Sequence, residues 1–469
     1  MSLRTRARAL FACAVVTLAG AAWTPAARAL ELGFSDGAYT GPNAQTWLQR
    51  SVAAGADMVR IDIGWDAPQT ARRPAGFNAR NPADPNYNFA KADTAIKLAT
   101  GLGLRVLVTF TGAPPWAEGP GRPHNAAPGS WRPSPSALED YGAALAMRYS
   151  GHFPDPADPG QLLPRVAAFQ VWNEPNLSLY LSPQWSRGRA AAPALYRQML
   201  NAFYRGVKSV NPRAVVVTAG TAPFGDLGEG ARMPPVTFWR DLLCLKATGT
   251  GLAAAGCTDP AHFDVMAHHP YAVGPPTTPA LDPGDVSIAD LGKLTTLLRA
   301  AERFGTALPR ERHPLWVTEV DYNSYPPDPG GVPINEQARW LEQTLEVLSR
   351  GGAQAIFWEQ VGDQPPIPSI GATAQSGVYF LGGRPKPGLT AYRFPLVAWR
   401  VGASDLDVWG RAPASGRVLL EQLVGSTWKT VRTLRERRHA TFLTQVSGAG
   451  PVDLRAQLAG QTSLVWHAN

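Results

Sequence analysis

The chain is poor in cysteine, with three among 469 residues, and poor in charge, with 17% Asp, Glu, Lys and Arg. Neither Cys244 nor Cys257 stands beside a histidine at the spacing of a zinc site, so no metal is expected, and nothing in the chain calls for a cofactor. Beyond the first thirty residues no stretch is long and apolar enough to cross a bilayer. The formal charge of +8 is mild for this length and does not point to nucleic acid. Internal repeats and low-complexity tracts are lacking, which leaves an ordinary folded chain, 45% hydrophobic, able to bury a large core.

The first 29 residues read differently from the rest. Arg4, Arg6 and Arg8 precede a run of small apolar residues from Ala9 to Ala22, and Ala27-Arg28-Ala29 has the small-x-small form of a cleavage site. This is the pattern of a secretory signal peptide, and it implies a secreted or periplasmic protein. Removing it takes away four arginines and no acids, so the +8 falls to +4. It also takes Cys13. An even pair then remains in an oxidising compartment, either as one local Cys244–Cys257 disulfide, the favoured reading, or as two buried thiols.

From Leu30 onward, short β-branched or aromatic runs alternate with apolar residues at helical spacing. Strands are expected near Leu30 to Phe34, Ala56 to Ile63, Leu104 to Phe110, Val166 to Trp172, Ala214 to Thr218, Phe263 to Ala267, Leu315 to Thr318 and Ala353 to Phe357. Helical stripes fall between them, for example Leu195, Met199, Phe203 and Val207. Eight strand–helix units point to an α/β fold, a (β/α)8 TIM barrel over residues 30–397. After Val397 strand-like runs recur without helices, so residues 398–469 are expected to form a small C-terminal antiparallel β domain. Its Trp409, Trp428 and Trp466 either bind sugar or, the favoured reading, pack its core.

The unusual motifs cluster at the carboxyl ends of the expected strands, the face that carries the active site in this architecture. Val171-Trp-Asn-Glu-Pro175 ends strand four and Trp316-Val-Thr-Glu319 ends strand seven. Two carboxylates so placed suit cleavage of a glycosidic bond, Glu174 as acid/base and Glu319 as nucleophile. Asn173 is positioned to bind a sugar hydroxyl beside the reacting carbon. A retaining reaction requires carboxyl groups about 5–5.5 Å apart.

These motifs, with His268-His-Pro-Tyr271, resemble clan A glycoside hydrolases, particularly families 39 and 5, over roughly Leu30 to Phe394. The resemblance implies a retaining enzyme acting on an oligosaccharide or polysaccharide. It also implies that Arg60 orients the nucleophile, that Tyr271 of the pair His269 and Tyr271 hydrogen-bonds it, and that Trp358 is an apolar platform beneath the sugar. Glu359, the next residue, is a third acidic candidate, set aside from catalysis because strand eight is the wrong place for it. The stretch Thr111 to Ala117 is closer to family 39. Two other readings stand beside this one: a barrel that binds carbohydrate without cleaving it, and a metal hydrolase using His268 and His269. Adjacent strand residues face opposite ways, which argues against the second. The sugar, the linkage, endo or exo action and the oligomeric state are not legible.

Overall fold

The structure, a computed structural model, describes residues 29–65 and 67–468. The expected leader therefore lies outside the described residues, save Ala29, which bridges Ala440. Eight parallel strands close into a barrel: β1 (Glu31–Ser35), β2 (Met58–Asp62), β3 (Arg105–Phe110), β4 (Ala168–Val171), β5 (Val215–Thr221), β6 (Val265–His268), β7 (Leu315–Val320) and β8 (Ala353–Glu359), with β8 paired back onto β1. A helix follows each in turn: α1 (Ala44–Ala54), α2 (Ala90–Gly101), α3 (Pro135–Arg148), α4 (Ala192–Val210), α5 (Pro235–Leu242), α6 (Leu291–Phe304), α7 (Ile334–Arg350) and α8 (Gly388–Arg393).

Strand alternation divides the barrel into two apolar regions. Met58, Leu107, Ala168, Val217, Val265, Ala267, Ala355 and Phe357 fill the interior. Their neighbours along the strands, such as Val59, Ile61, Val108, Phe169 and Ile356, pack outward against the helices. Buried on both faces, the strands are apolar along most of their length, which is why they stand out from the flanking helices in the sequence.

Two irregularities aim side chains. On β7, Val317 pairs with Ile356 and Val320 with Trp358, so Thr318 and Glu319 together stand opposite the single residue Phe357. On β5, Val217 pairs with Val265 and Gly220 with Ala267, so Thr218 and Ala219 stand opposite Met266 alone. A bulge of this kind breaks alternation by one residue and re-aims the side chains beyond it. The Ala219 amide at the β5 bulge is taken up by the Tyr196 hydroxyl (2.6 Å), which itself donates to the Val171 carbonyl of β4 (2.7 Å).

After the barrel the chain enters antiparallel sheet. β9 (Leu396–Arg400), β10 (Asp405–Arg411) and β13 (Thr441–Ser447) make one sheet; β11 (Gly416–Val424), β12 (Thr427–Glu436), β14 (Val452–Leu458) and β15 (Trp466–Ala468), with the short strand Gln461–Thr462, make the other. β9 spans residue 397, so the chain passes directly from barrel to sheet with no linker. Trp409 and Trp466 are buried in this unit, and Trp428 is half-buried under Arg455. The β domain seats on the amino end of the barrel. Arg411 donates to the Leu30 carbonyl (2.8 Å) and to Asp57 (2.7 Å), and His439 pairs with Asp57 (2.5 Å). Cys244 and Cys257 are joined in a disulfide that closes the hairpin Leu245–Thr248/Gly251–Ala254. Among the described residues no helix is long and apolar enough to cross a membrane.

Candidate active site

The carboxyl end of the barrel carries a polar layer above the apolar one. Alternation puts Arg60 on β2 two residues beyond inward Met58, and Gln170 on β4 two residues beyond inward Ala168. Buried Arg60 (4% exposed) donates to Gln170 Oε1 (2.7 Å), Ser35 Oγ (3.1 Å), Asn173 Oδ1 (3.2 Å) and Glu319 Oε1 (2.5 Å). Its charge and four of its five N–H donors are thus engaged within the barrel. Gln170 in turn donates to the Thr218 carbonyl (3.0 Å) and Thr318 Oγ1 (2.9 Å).

The β7 bulge lets Thr318 and Glu319 both project inward. Glu319 receives Arg60 on one oxygen and the Tyr271 hydroxyl on the other (2.9 Å). Glu174 follows β4 in a left-handed backbone conformation (φ 35°), as does Trp172 (φ 78°), and the Glu174 amide donates to the Gly220 carbonyl (3.0 Å). Two non-glycine residues with positive φ this close together mark a turn that its surroundings hold against local preference. Buried Asn176 supplies part of that hold: it bonds the Ala222 amide and carbonyl and the Met233 carbonyl, tying the loop after β4 to the loop after β5.

His269 sits between the two glutamates. Its Nδ1 lies 3.1 Å from Glu174 Oε1 and 3.3 Å from Glu319 Oε2, and its Nε2 lies 2.9 Å from Thr318 Oγ1. Two carboxylates beside Nδ1 require the proton there. The ring passes directly over Gly220, where any Cβ would fall 2.1 Å from it. One oxygen of Glu174, one of Glu319 and a ring nitrogen of His269 all lie within 4.8 Å of one another. These three are also the groups that could converge on a cation, but Arg60 already holds Glu319 and would stand against a second positive charge.

Charge is arranged unevenly here. Burial would raise the Glu319 carboxyl, yet His269, Arg60 and the Tyr271 hydroxyl together hold it below the ordinary glutamate value. Burial pushes Asp321 up to about 7, with Glu319 adding to the effect. Burial also pushes Tyr180 up, with Glu174 and Glu319 adding; this phenol hydrogen-bonds Asn173.

Of the residues expected from the sequence, Glu174, Glu319, Asn173, Arg60, His269 and Tyr271 meet at this one place. His268 does not. It faces outward, bonds Thr221 Oγ1 (2.8 Å) and the Val286 carbonyl (2.8 Å), and burial lowers its pKa to about 3, so the two adjacent histidines cannot share a metal.

The expectation for Trp358 is corrected. It is completely buried, packs in the outer apolar layer with Ile356 and Val320, and donates its indole N–H to the Ser376 carbonyl (2.8 Å), so it offers no face to a sugar. Alternation on β8 is the reason: Ala355 and Phe357 point inward, Ile356 and Trp358 outward, and Glu359 therefore inward. The residue that reaches the site from β8 is Glu359, whose carboxylate contacts the Tyr271 hydroxyl. Sequence reasoning also missed Gln170, Thr318, Asp321 and Tyr180. Gln170 was the most findable, being a polar residue inside an otherwise apolar run.

Fold and site together define a closed (β/α)8 barrel with a carboxyl-rich centre at the carboxyl end of its strands. No family model and no curated protein matches the sequence. Among solved structures, the chain is similar to a family 39 glycoside hydrolase from the gut symbiont Bacteroides cellulosilyticus WH2, with a TM-score of 0.55 and 17% identity over 90% of this chain and 81% of that one. It is similar also to a glucosidase from Croceicoccus marinus, with a TM-score of 0.51 and 13% identity over 92% and 96% of the two chains. At such identities the likeness establishes a shared fold, the (β/α)8 barrel of these glycoside hydrolases.

Proposed function

We propose that the protein is an exported, retaining β-glycoside hydrolase in which Glu319 attacks the anomeric carbon and Glu174 protonates the departing oxygen. The observation that carries this reading is the approach of Glu174 and Glu319 oxygens to within 4.8 Å across the barrel mouth. That is close to the spacing of about 5–5.5 Å at which one carboxylate acts as nucleophile, and short of the wider spacing that leaves room for an attacking water. Arg60 and Tyr271 keep Glu319 ionised and aimed, as a nucleophile must be. Once the glycosyl-enzyme forms, Glu174 takes a proton from water on the leaving-group side, and the water's oxygen displaces Glu319.

The substrate is an oligosaccharide or polysaccharide whose sugar at this position carries no carboxylate. Glu174, Glu319, Asp321 and Glu359 are all partly exposed around the centre, while Arg60 is committed to Glu319 and spends four of its five N–H donors within the barrel. A uronate placed among them would lose its hydration with no cation to replace it.

The test is a panel of neutral and uronic aryl β-glycosides and polysaccharides, run with Glu174→Gln and Glu319→Gln and with a strong chelator present. We expect turnover of a neutral substrate to survive the chelator, to fall at least about a thousandfold in each variant, and to give products of retained anomeric configuration by proton NMR. Inverted product, or full activity in Glu319→Gln, ends this assignment.

A further inference from the structure

Tyr271 Oη lies within hydrogen-bond reach of two carboxylates, Glu319 Oε2 at 2.9 Å and Glu359 Oε2. A phenol has one proton and can donate it to one of them. The other contact then places an oxygen lone pair against an oxygen lone pair, in a half-buried setting where such repulsion is costly, unless a second proton is present. The phenol itself keeps its proton: burial first, then Glu319, Glu359 and Asp321, hold its pKa far above the ordinary tyrosine value.

We propose that Glu359 is a neutral carboxylic acid and a positioning residue, donating its proton to Tyr271 Oη so that the single Tyr271 proton is committed to Glu319. The chain runs Glu359 O–H to Tyr271 Oη, then Tyr271 O–H to Glu319 Oε2. Glu319 keeps the charge because Arg60 contacts it directly and His269 Nδ1 is 3.3 Å away. Glu359 has no comparable partner. The groups that bear on it are Glu319 and Asp321 from β7 and its loop, Tyr271 from the loop after β6, Arg60 from β2 at longer range, and Tyr180 from the loop after β4. Burial, reinforced by Glu319 and Asp321, pushes its carboxyl well above the ordinary glutamate value. An ionised Glu359 would set a second negative charge beside Glu319 and leave Glu319 competing for the Tyr271 proton. A neutral one keeps the nucleophile's second oxygen oriented while its first stays with Arg60.

This inference rests on reading Glu319 as the nucleophile, and its two tests separate the ideas. The first needs no substrate: the infrared difference between the full-length protein and Glu359→Gln at pH 6. We expect a protonated-carboxyl band in the native protein that the variant lacks. A carboxylate pair of bands in its place overturns the proposal, whatever the enzyme's activity. The second is kinetic. Glu359→Ala lowers kcat/KM by about thirtyfold or more through loss of orientation, and Glu359→Gln, whose amide can donate to Tyr271, restores it to within about threefold. The acidic limb of the kcat/KM profile, which tracks Glu319, stays in place in Glu359→Gln, because a neutral acid has been exchanged for a neutral amide. A shift of that limb toward acid by about one unit or more would show that a negative charge had been removed, and would overturn the proposal. On a Tyr271→Phe background Glu359→Ala adds less than about threefold, since the link is already cut.

Discussion

Both ends of the barrel bury ionised groups, and they do so in opposite ways. At the amino end, Asp57 faces Arg411, its other contacts are His439 Nδ1 and the Leu32 amide, and Arg411 spends its Nε on the Leu30 carbonyl. There the carboxylate meets a guanidinium, with a histidine beside it, and the β domain closes them off. At the carboxyl end, Arg60 pairs with Glu319 and His269 stands between Glu174 and Glu319, while Asp321 and Glu359 lie beside Glu319 with no ion pair of their own among the described residues. Trp172, Glu174 and Gln360 there hold left-handed backbone (φ 78°, 35° and 75°). A cluster whose charges cancel fastens two parts of a molecule together. A cluster left acid-rich, partly open and on strained backbone costs stability, and such a cost persists where chemistry requires it.

Cutting each cluster should separate the two roles. Asp57→Ala strands Arg411, 1% exposed, without its counter-charge. Urea unfolding should show a loss of about 3–5 kcal/mol, whereas Glu174→Gln, which removes the acid/base but leaves Arg60 paired with Glu319, should move the urea midpoint little. Equal destabilisation by the two would erase the contrast. A smaller effect is expected at Gly220, where a Cβ would collide with the His269 ring. Gly220→Ala should displace that ring and cost about tenfold in kcat/KM, as a slight misplacement does, with the circular dichroism spectrum unchanged. Activity equal to the parent would mean the ring is not needed where it stands.

The contrast also bears on pH. Burial raises Asp36 to about 6, Asp321 to about 7 and Glu342, in contact with Arg339 and the Leu396 amide, to about 8. Above the unfolded carboxyl values the folded chain still holds protons that the unfolded chain has released, so these groups withdraw stability as pH rises from about 4 to 8. Glu319, Asp57 and Glu302 are shifted down and give stability above their unfolded values that is lost as pH falls. Tm should therefore decline from pH 5 to pH 8, and Glu342→Gln should flatten that decline. A Tm that climbs over this range would contradict the assignment of buried acids.

The barrel was legible because its strands are buried on both faces and its helices on one, so the two periods differ along the chain. All eight strands fall within a few residues of their expected places, and β5, β7 and β8 run longer. Glu174 and Glu319 were legible for another reason, being carboxylates at the ends of apolar runs, and Arg60 only through the likeness to clan A enzymes. Trp358 and Glu359 were exchanged because Ile356-Phe-Trp358 is apolar at every position. A strand apolar on both sides carries no mark of which parity faces the centre. β9 was missed as a separate strand for a similar reason: Leu396 to Arg400 continues the apolar character of the segment before it.

Amino-acid order was enough for the alternation of strands and helices, the two glutamates and the paired cysteines, since local period and residue chemistry depend on near neighbours in the chain. Which side chains look inward was settled by packing. The bulges on β5 and β7 change parity by one residue, Gly220 opens space for His269, and the proton shared around Tyr271 depends on three residues from three strands or their loops. Those relations arise only when the barrel closes, because closure brings distant groups within a few ångströms in a medium too poor in water to screen them.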